Sequence, residues 1–290
     1  MTLTRLRPAL RPPALASPRA LNEFPAAASV ARMVDMETMV KVDGGSVWAD
    51  DTGGPGAPVV LLHPGVGDSR IWEPVMSRLA DRYRFIRYDA RGHGQSPPAT
   101  APYTLLTDLV AVLDQLDVPP AVFVGCSQGG ASSIDLALSQ PSRVSALVLV
   151  SPGLTGYSWP EDPNPDAEAE FESLADAGDI DGVAALIGQM WAAAGPADGV
   201  SAQLRSAARA WIANGDFEQK DPPAVGRLGD IRVPAVLLIG DKDYPPLIAC
   251  DDTIVAGIPG CRKVDVPGGD HLLPLRVPGL VADTITGLAG

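Results

Sequence analysis

From Met39 onward the chain alternates short, β-branched apolar runs with segments whose apolar residues recur at helical spacing. PVVLLH (58–63), YRFIRYD (83–89), AVFVGC (121–126), VSALVLVS (144–151), VPAVLLIGD (233–241) and CRKVDVP (261–267) read as strands. Between them, IWEPVMSRLAD (71–81), LLTDLVAVLDQL (105–116), QGGASSIDLALSQ (128–140), a stretch around 246–257 and another near 276–289 read as helices. MVKV and SVWAD flank Asp43-Gly44-Gly45, a hairpin. The alternation predicts an α/β fold, a mainly parallel sheet with helices on both faces.

Residues 153–225 interrupt the rhythm with WPEDPNPD, several helical stretches and the tryptophans Trp159, Trp191 and Trp211. No lysine or arginine falls between Arg143 and Arg205, and residues 161–181 carry nine acids. This segment reads as an inserted helical cap with a solvated acidic face. A cap over the sheet's carboxyl edge makes Trp159, Trp191 and Trp211 candidates for lining a substrate pocket. The α/β core is then 36–152 and 226–290. Residues 1–35 differ again, with five arginines, two acids and five prolines. They read as a disordered extension, or as sequence upstream of a true start at Met33, Met36 or Met39. A functional arm is the alternative. Their prolines and arginines break every stretch that could serve as a secretory signal.

At 290 residues and 46% hydrophobic content, the chain can bury a substantial core. A net charge of −13 with no basic track argues against nucleic acid as a partner. No apolar run approaches the roughly 18 residues of a membrane span, so no membrane partner is expected. Cys126, Cys250 and Cys261 match no metal or redox spacing and read as reduced thiols of a cytoplasmic protein.

The chemistry concentrates in VGCSQGG (124–130), where Gly125, Ser127 and Gly129 fit G-x-S-x-G at a strand-to-helix junction. A serine hydroxyl needs a base, itself oriented by a carboxylate. Only His63, His93 and His271 are available. His271, in PGGDHLLPL after the last strand, is the favoured base. His63 opens the loop HPGVGD, and His93 lies in the turn DARGHGQS. The favoured carboxylate is Asp243 in IGDKDYPP, with Asp241 bracing that loop and Asp265 and Asp270 as structural acids. An oxyanion needs two donors: the N–H of Gln128, and the N–H of Gly65 with Val66 as the fallback, because Pro64 has none. Cys126, pointing back toward the sheet, reads as a packing residue. Neither glycine-rich loop has the spacing of a phosphate cradle.

Taken in order, LLHPGVGDSRIW, YDARGHGQS, VGCSQGG, LLIGDKDYPP and PGGDHLLPL resemble the α/β-hydrolase superfamily over residues 37–290. The nearest likeness is to capped single-domain serine hydrolases such as enol-lactonases, small-molecule esterases and perhydrolases. That resemblance implies an eight-stranded sheet, a cap, and catalytic roles for Ser127, Asp243 and His271. It also implies cleavage of an ester or lactone of a small, largely apolar molecule, without metal or cofactor. Carbon–carbon bond hydrolysis, perhydrolysis or acyl transfer on the same triad are the alternatives, with a ligand-binding protein on a hydrolase shell behind them. Pro64 departs from the glycine common in that loop, which leaves the second oxyanion donor open between Gly65 and Val66.

Overall fold

The computed structural model of the chain describes residues 36–160, 167–214 and 217–289. The reading of 1–35 therefore lies outside the described residues, as does most of WPEDPNPD. The strands are β1 (Met36–Val42), β2 (Gly45–Asp51), β3 (Ala57–Leu62), β4 (Tyr83–Tyr88), β5 (Ala121–Cys126), β6 (Val144–Val150), β7 (Ala235–Gly240) and β8 (Arg262–Val266). They form one eight-stranded sheet in the order β1-β2-β4-β3-β5-β6-β7-β8. β2 is antiparallel to both β1 and β4. Every other neighbouring pair is parallel. The hairpin turn is Asp43-Gly44, and Gly45, expected in the turn, already pairs with Val42 in the ladder.

The helices are α1 (Glu73–Leu79), α2 (Leu105–Gln115), α3 (Gln128–Ser139), α4 (Ala167–Asp176), α5 (Ile180–Trp191), α6 (Val200–Ala213), α7 (Pro245–Gly257), α8 (Leu273–Arg276) and α9 (Pro278–Ala289). The strands are apolar at successive positions because both faces are covered. Val59, Leu61, Val122, Val124, Val148 and Val236 pack on one side with residues of α1 and α9. Val60, Leu62, Phe123, Leu147 and Leu237 pack on the other with residues of α2, α3 and α7. Each such fully buried side chain contributes about 1.5–3 kcal/mol. α2 starts where Thr104 accepts the N–H of Thr107 at 3.2 Å, and Thr107 reciprocates in a capping box.

α4, α5 and α6 lie between β6 and β7, inside the segment expected to form the cap. Val183, Ile187, Leu204, Ala207 and Ala208 of α5 and α6 join the same apolar cluster as the first sheet face. Their position is thus set by core packing. No helix among the described residues is long and apolar enough to cross a membrane.

α3 reaches the sheet at backbone distance. A Cβ added at Gly125 would overlap the Gly129 carbonyl, and one at Gly129 would overlap the Leu62 carbonyl. Backbone atoms cannot swing aside as a side chain can, so this contact depends on glycine. Gly125→Ala is expected to lower unfolding free energy by about 3 kcal/mol. Gly226→Ala, where a methyl meets open space, is expected to change it by less than about 0.5 kcal/mol. Urea unfolding of both variants checks the contrast.

Candidate active site

Because β3, β5, β7 and β8 run parallel, the loops that leave their carboxyl ends share one sheet edge. Ser127 stands between β5 and α3 with φ 52° and ψ −115°. This conformation costs a non-glycine residue on the order of 1–3 kcal/mol and persists only where neighbours enforce it. The enforcement is visible. The Ser127 N–H donates to Val150 O at 3.0 Å and Ser151 O at 3.1 Å, and its carbonyl accepts from Ala131 N at 3.0 Å and Gly153 N at 2.8 Å. The residue itself is only half-buried.

The loops that follow β7 and β8 bring Asp243 and His271 together. His271 Nδ1 lies 3.1 Å from both carboxylate oxygens of Asp243. Nδ1–H is the donor, since a carboxylate only accepts. Both side chains are fully buried. Asp243 also accepts the Tyr244 N–H at 2.7 Å. The two loops are tied together by Lys242 N–H to Gly269 O at 2.9 Å, and by Gly268 N–H to Asp241 Oδ1 at 2.7 Å. Asp241 thus sits where the brace was expected. His271 Nε2, equally buried, has no hydrogen-bond partner among the described residues. A buried ring nitrogen left without a partner is uncommon and costs stability.

The loop after β3 is oriented by two side chains. His63 Nε2 accepts the Ala90 N–H at 2.9 Å, which leaves Nδ1–H to donate to Pro64 O at 2.8 Å. In a trans peptide the next N–H points away from that carbonyl, so His63 fixes the direction of the Gly65 N–H. Trp211 of α6 donates its Nε1–H to Gly65 O at 2.8 Å, which fixes the Val66 N–H in the same way. A Cβ on Gly65 would sit 2.9 Å from Gln128 Oε1, so only glycine fits against that side chain unmoved.

The three tryptophans occupy different places. Trp191 lies against His271, with ring centroids 4.5 Å apart, and against Tyr244 at 5.3 Å. Trp211 holds the Gly65 carbonyl. Trp159 is exposed and packs on Tyr157. It lines a cavity of about 620 Å³ with Asp135, Thr155 and Glu218, where burial pushes the Asp135 carboxyl up to about 7. Cys126 is fully buried, its thiol facing His271 O at 3.6 Å. Burial holds that thiol well above its ordinary pKa, which disfavours the thiolate a nucleophile needs. Asp270 and Asp265 also part company. Asp270 is fully buried in an ion pair with Arg276 at 2.6 Å, whereas Asp265 is exposed beside Lys263 at 3.3 Å. Among the described residues, no group of three His, Cys, Asp or Glu is placed to hold a metal ion.

The sequence motifs do not include Gln203 or Asn214. Gln203 of α6 is buried, accepts the Asp68 N–H at 2.8 Å and donates to Asp68 Oδ1 at 3.2 Å. Asn214 donates to Arg91 O at 2.6 Å. Each partner lies more than 100 residues away, so no local spacing announces it. For Gln203, a polar residue among the buried positions of α6 was the one available signal.

His93 is buried, donates Nδ1–H to Gly67 O at 2.7 Å and packs beside the His63 ring at 5.0 Å. Burial, with the neighbouring His63, pulls its pKa from 6.5 down to about 3. Between those values the unfolded chain binds a proton that the folded chain refuses. The stability this contributes is full above pH 6.5 and is lost as pH falls toward 3. His93→Gln is therefore expected to flatten the decline in urea midpoint between pH 7 and pH 4.5. A decline equal to that of the wild type would contradict the assignment.

A family model described as the alpha/beta hydrolase fold matches residues 57–198. A Mycobacterium phage D29 protein is 38% identical over 119 residues, 39% of this chain and 42% of its own. The chain thus spans about two fifths of the length of the curated relatives first matched. A longer similarity is to 3-oxoadipate enol-lactonase 1 of Acinetobacter baylyi, 25% identical over 77% of this chain and 85% of that protein. Among solved structures, Est816, titled an N-acyl homoserine lactone degrading enzyme, is similar at 26% identity and TM-score 0.69. That match covers 86% of this chain and 99% of Est816. With the strand order and these matches together, the chain has the alpha/beta hydrolase fold and is similar to hydrolases built on it.

Proposed function

We propose that this protein is a serine hydrolase that opens a carboxylic ester or lactone of a small, largely apolar molecule, with Ser127 as nucleophile, His271 as base and Asp243 as its orienting acid. The observation that carries the reading is the buried His271 Nε2, which has no hydrogen-bond partner among the described residues while Nδ1 is engaged by Asp243. Such a nitrogen is poised to take a proton. The half-buried Ser127, in a backbone conformation that its neighbours enforce, is the hydroxyl that would give it. The similarity to an enol-lactonase and to a lactone-degrading enzyme supports the ester or lactone bond as the target.

In the proposed reaction Ser127 Oγ attacks the carbonyl carbon as its proton passes to His271 Nε2. Asp243 stabilises the resulting imidazolium through Nδ1–H. The N–H groups of Gln128 and Gly65 receive the charge that develops on the carbonyl oxygen. Collapse of the tetrahedral intermediate breaks the acyl C–O bond, and His271 returns the proton to the departing oxygen. In a lactone that oxygen stays tethered to the acyl chain. Water, deprotonated by His271, then attacks the acyl-enzyme and releases the acid with Ser127 restored.

Ser127→Ala is expected to reduce kcat on p-nitrophenyl acetate by at least about 10³-fold while leaving the thermal unfolding midpoint unchanged or higher. Turnover within tenfold of wild type would remove Ser127 from the mechanism. Against a panel of lactones, aryl esters and vinylogous diketones, the enzyme is expected to turn over lactones or esters. Cleavage of the diketones alone would replace the ester reading with carbon–carbon bond hydrolysis.

A further inference from the structure

Asp270 stands beside His271 yet plays no part in the reaction above. Its carboxylate is fully buried, and both oxygens are occupied. Oδ1 accepts the Leu272 N–H at 3.1 Å and Arg276 Nε at 3.0 Å. Oδ2 accepts Arg276 Nη2 at 2.6 Å and, from the segment that follows α5, the Ala194 N–H at 3.0 Å. Arg276 Nη2 also donates to Gly195 O at 2.6 Å. A single buried ion pair therefore joins the histidine loop, α8 and the backbone three to four residues past Trp191, the last residue of α5.

Fixing Ala194 and Gly195 fixes where α5 ends, since Ala192 N–H already closes onto Gly188 O at 3.0 Å and Gly195 N–H onto Ala192 O at 3.0 Å. The indole of Trp191 is thereby set down on His271 and on Tyr244, the residue after Asp243. It spans the two loops that carry the base and its acid.

We infer that Trp191 is a positioning residue for His271, and that the Asp270–Arg276 pair acts through it by latching the end of α5 to the histidine loop. The inference rests on the serine-hydrolase reading. The indole limits rotation of the imidazole, so Nδ1 stays on Asp243 and Nε2 stays free. It helps to keep water from the pair, and a tryptophan face within about 6 Å favours the imidazolium that forms as Ser127 gives up its proton. A side chain that only lined the substrate would act on binding. One that aims the base acts on the chemical step whatever the substrate's size.

The test uses the full chain with p-nitrophenyl acetate and a small p-nitrophenyl phosphonate, both too short to need a wide pocket. Trp191→Leu is expected to lower kcat about 10- to 100-fold with KM within about twofold, and to slow phosphonylation of Ser127 by a similar factor. Trp191→Phe, which restores an aromatic face, is expected to recover most of both. Asp270→Asn, or Arg276→Lys where the first variant does not fold, is expected to lower kcat in the wild-type background. In the Trp191→Leu background the same change should cost less than about twofold, because the latch acts through the indole. A rise in KM alone with phosphonylation unchanged would make Trp191 a substrate-lining residue and overturn the inference. Losses that multiply in the double variant would overturn the latch. If wild-type protein is not phosphonylated at all, the serine-hydrolase reading itself falls, an outcome distinct from either.

Discussion

The site depends on a close approach of backbone to backbone. Gly125 and Gly129 let α3 touch β5 and β3 without intervening side chains, and only at that separation does the chain turn sharply enough to hold Ser127 at positive φ. The strain at Ser127 is sustained by four backbone hydrogen bonds on its two sides. Those bonds exist because β5, β6 and the start of α3 are already packed. Once the parallel ladder is in register, the loops after β3, β7 and β8 emerge at the same edge as Ser127, and Asp243 and His271 meet there at 3.1 Å.

The helical segment between β6 and β7 is bonded to loops at that edge. Gln203 and Trp211 of α6 hold the loop after β3, while the Asp270–Arg276 pair holds the end of α5 to the loop after β8. Both contacts bury polar groups, which is costly unless every donor and acceptor is matched. Asp68 illustrates the matching. Burial alone would raise its pKa, yet hydrogen bonds from Arg70 and Ser206 hold its carboxyl well below the ordinary range. The loops that would bind an oxyanion and carry the base are thus positioned partly by α5 and α6, so changes in these helices should reach chemistry as well as substrate choice.

Much of this was legible in the sequence because it is local. Continuous apolar runs announced the buried strands, and β5 falls on the expected AVFVGC. Boundaries shifted where proline intervened: β7 begins at Ala235 and not Val233, since Pro234 has no N–H to give the ladder. His63 and His93 could be set aside by their glycine-rich turns, and each is occupied by backbone partners. The bonds of Gln203, Asn214 and the Asp270–Arg276 latch were not legible. They join positions 76 to 135 residues apart, and no spacing rule reaches that far. The three tryptophans show the same limit: their shared segment made each a pocket candidate, and packing sets them against an imidazole, a loop carbonyl and a cavity of about 620 Å³.

In the proposed reaction Ser127 becomes covalently acylated. The most direct measurement is mass spectrometry of protein quenched in acid during turnover of a slowly hydrolysed aryl ester, followed by peptide mapping. The expected result is a mass increase equal to one acyl group, carried by the peptide that contains Ser127 and lost on prolonged incubation before the quench. An acyl group mapped to Cys126 or another residue, or burst release of the phenol with no adduct on the Ser127 peptide, would contradict it.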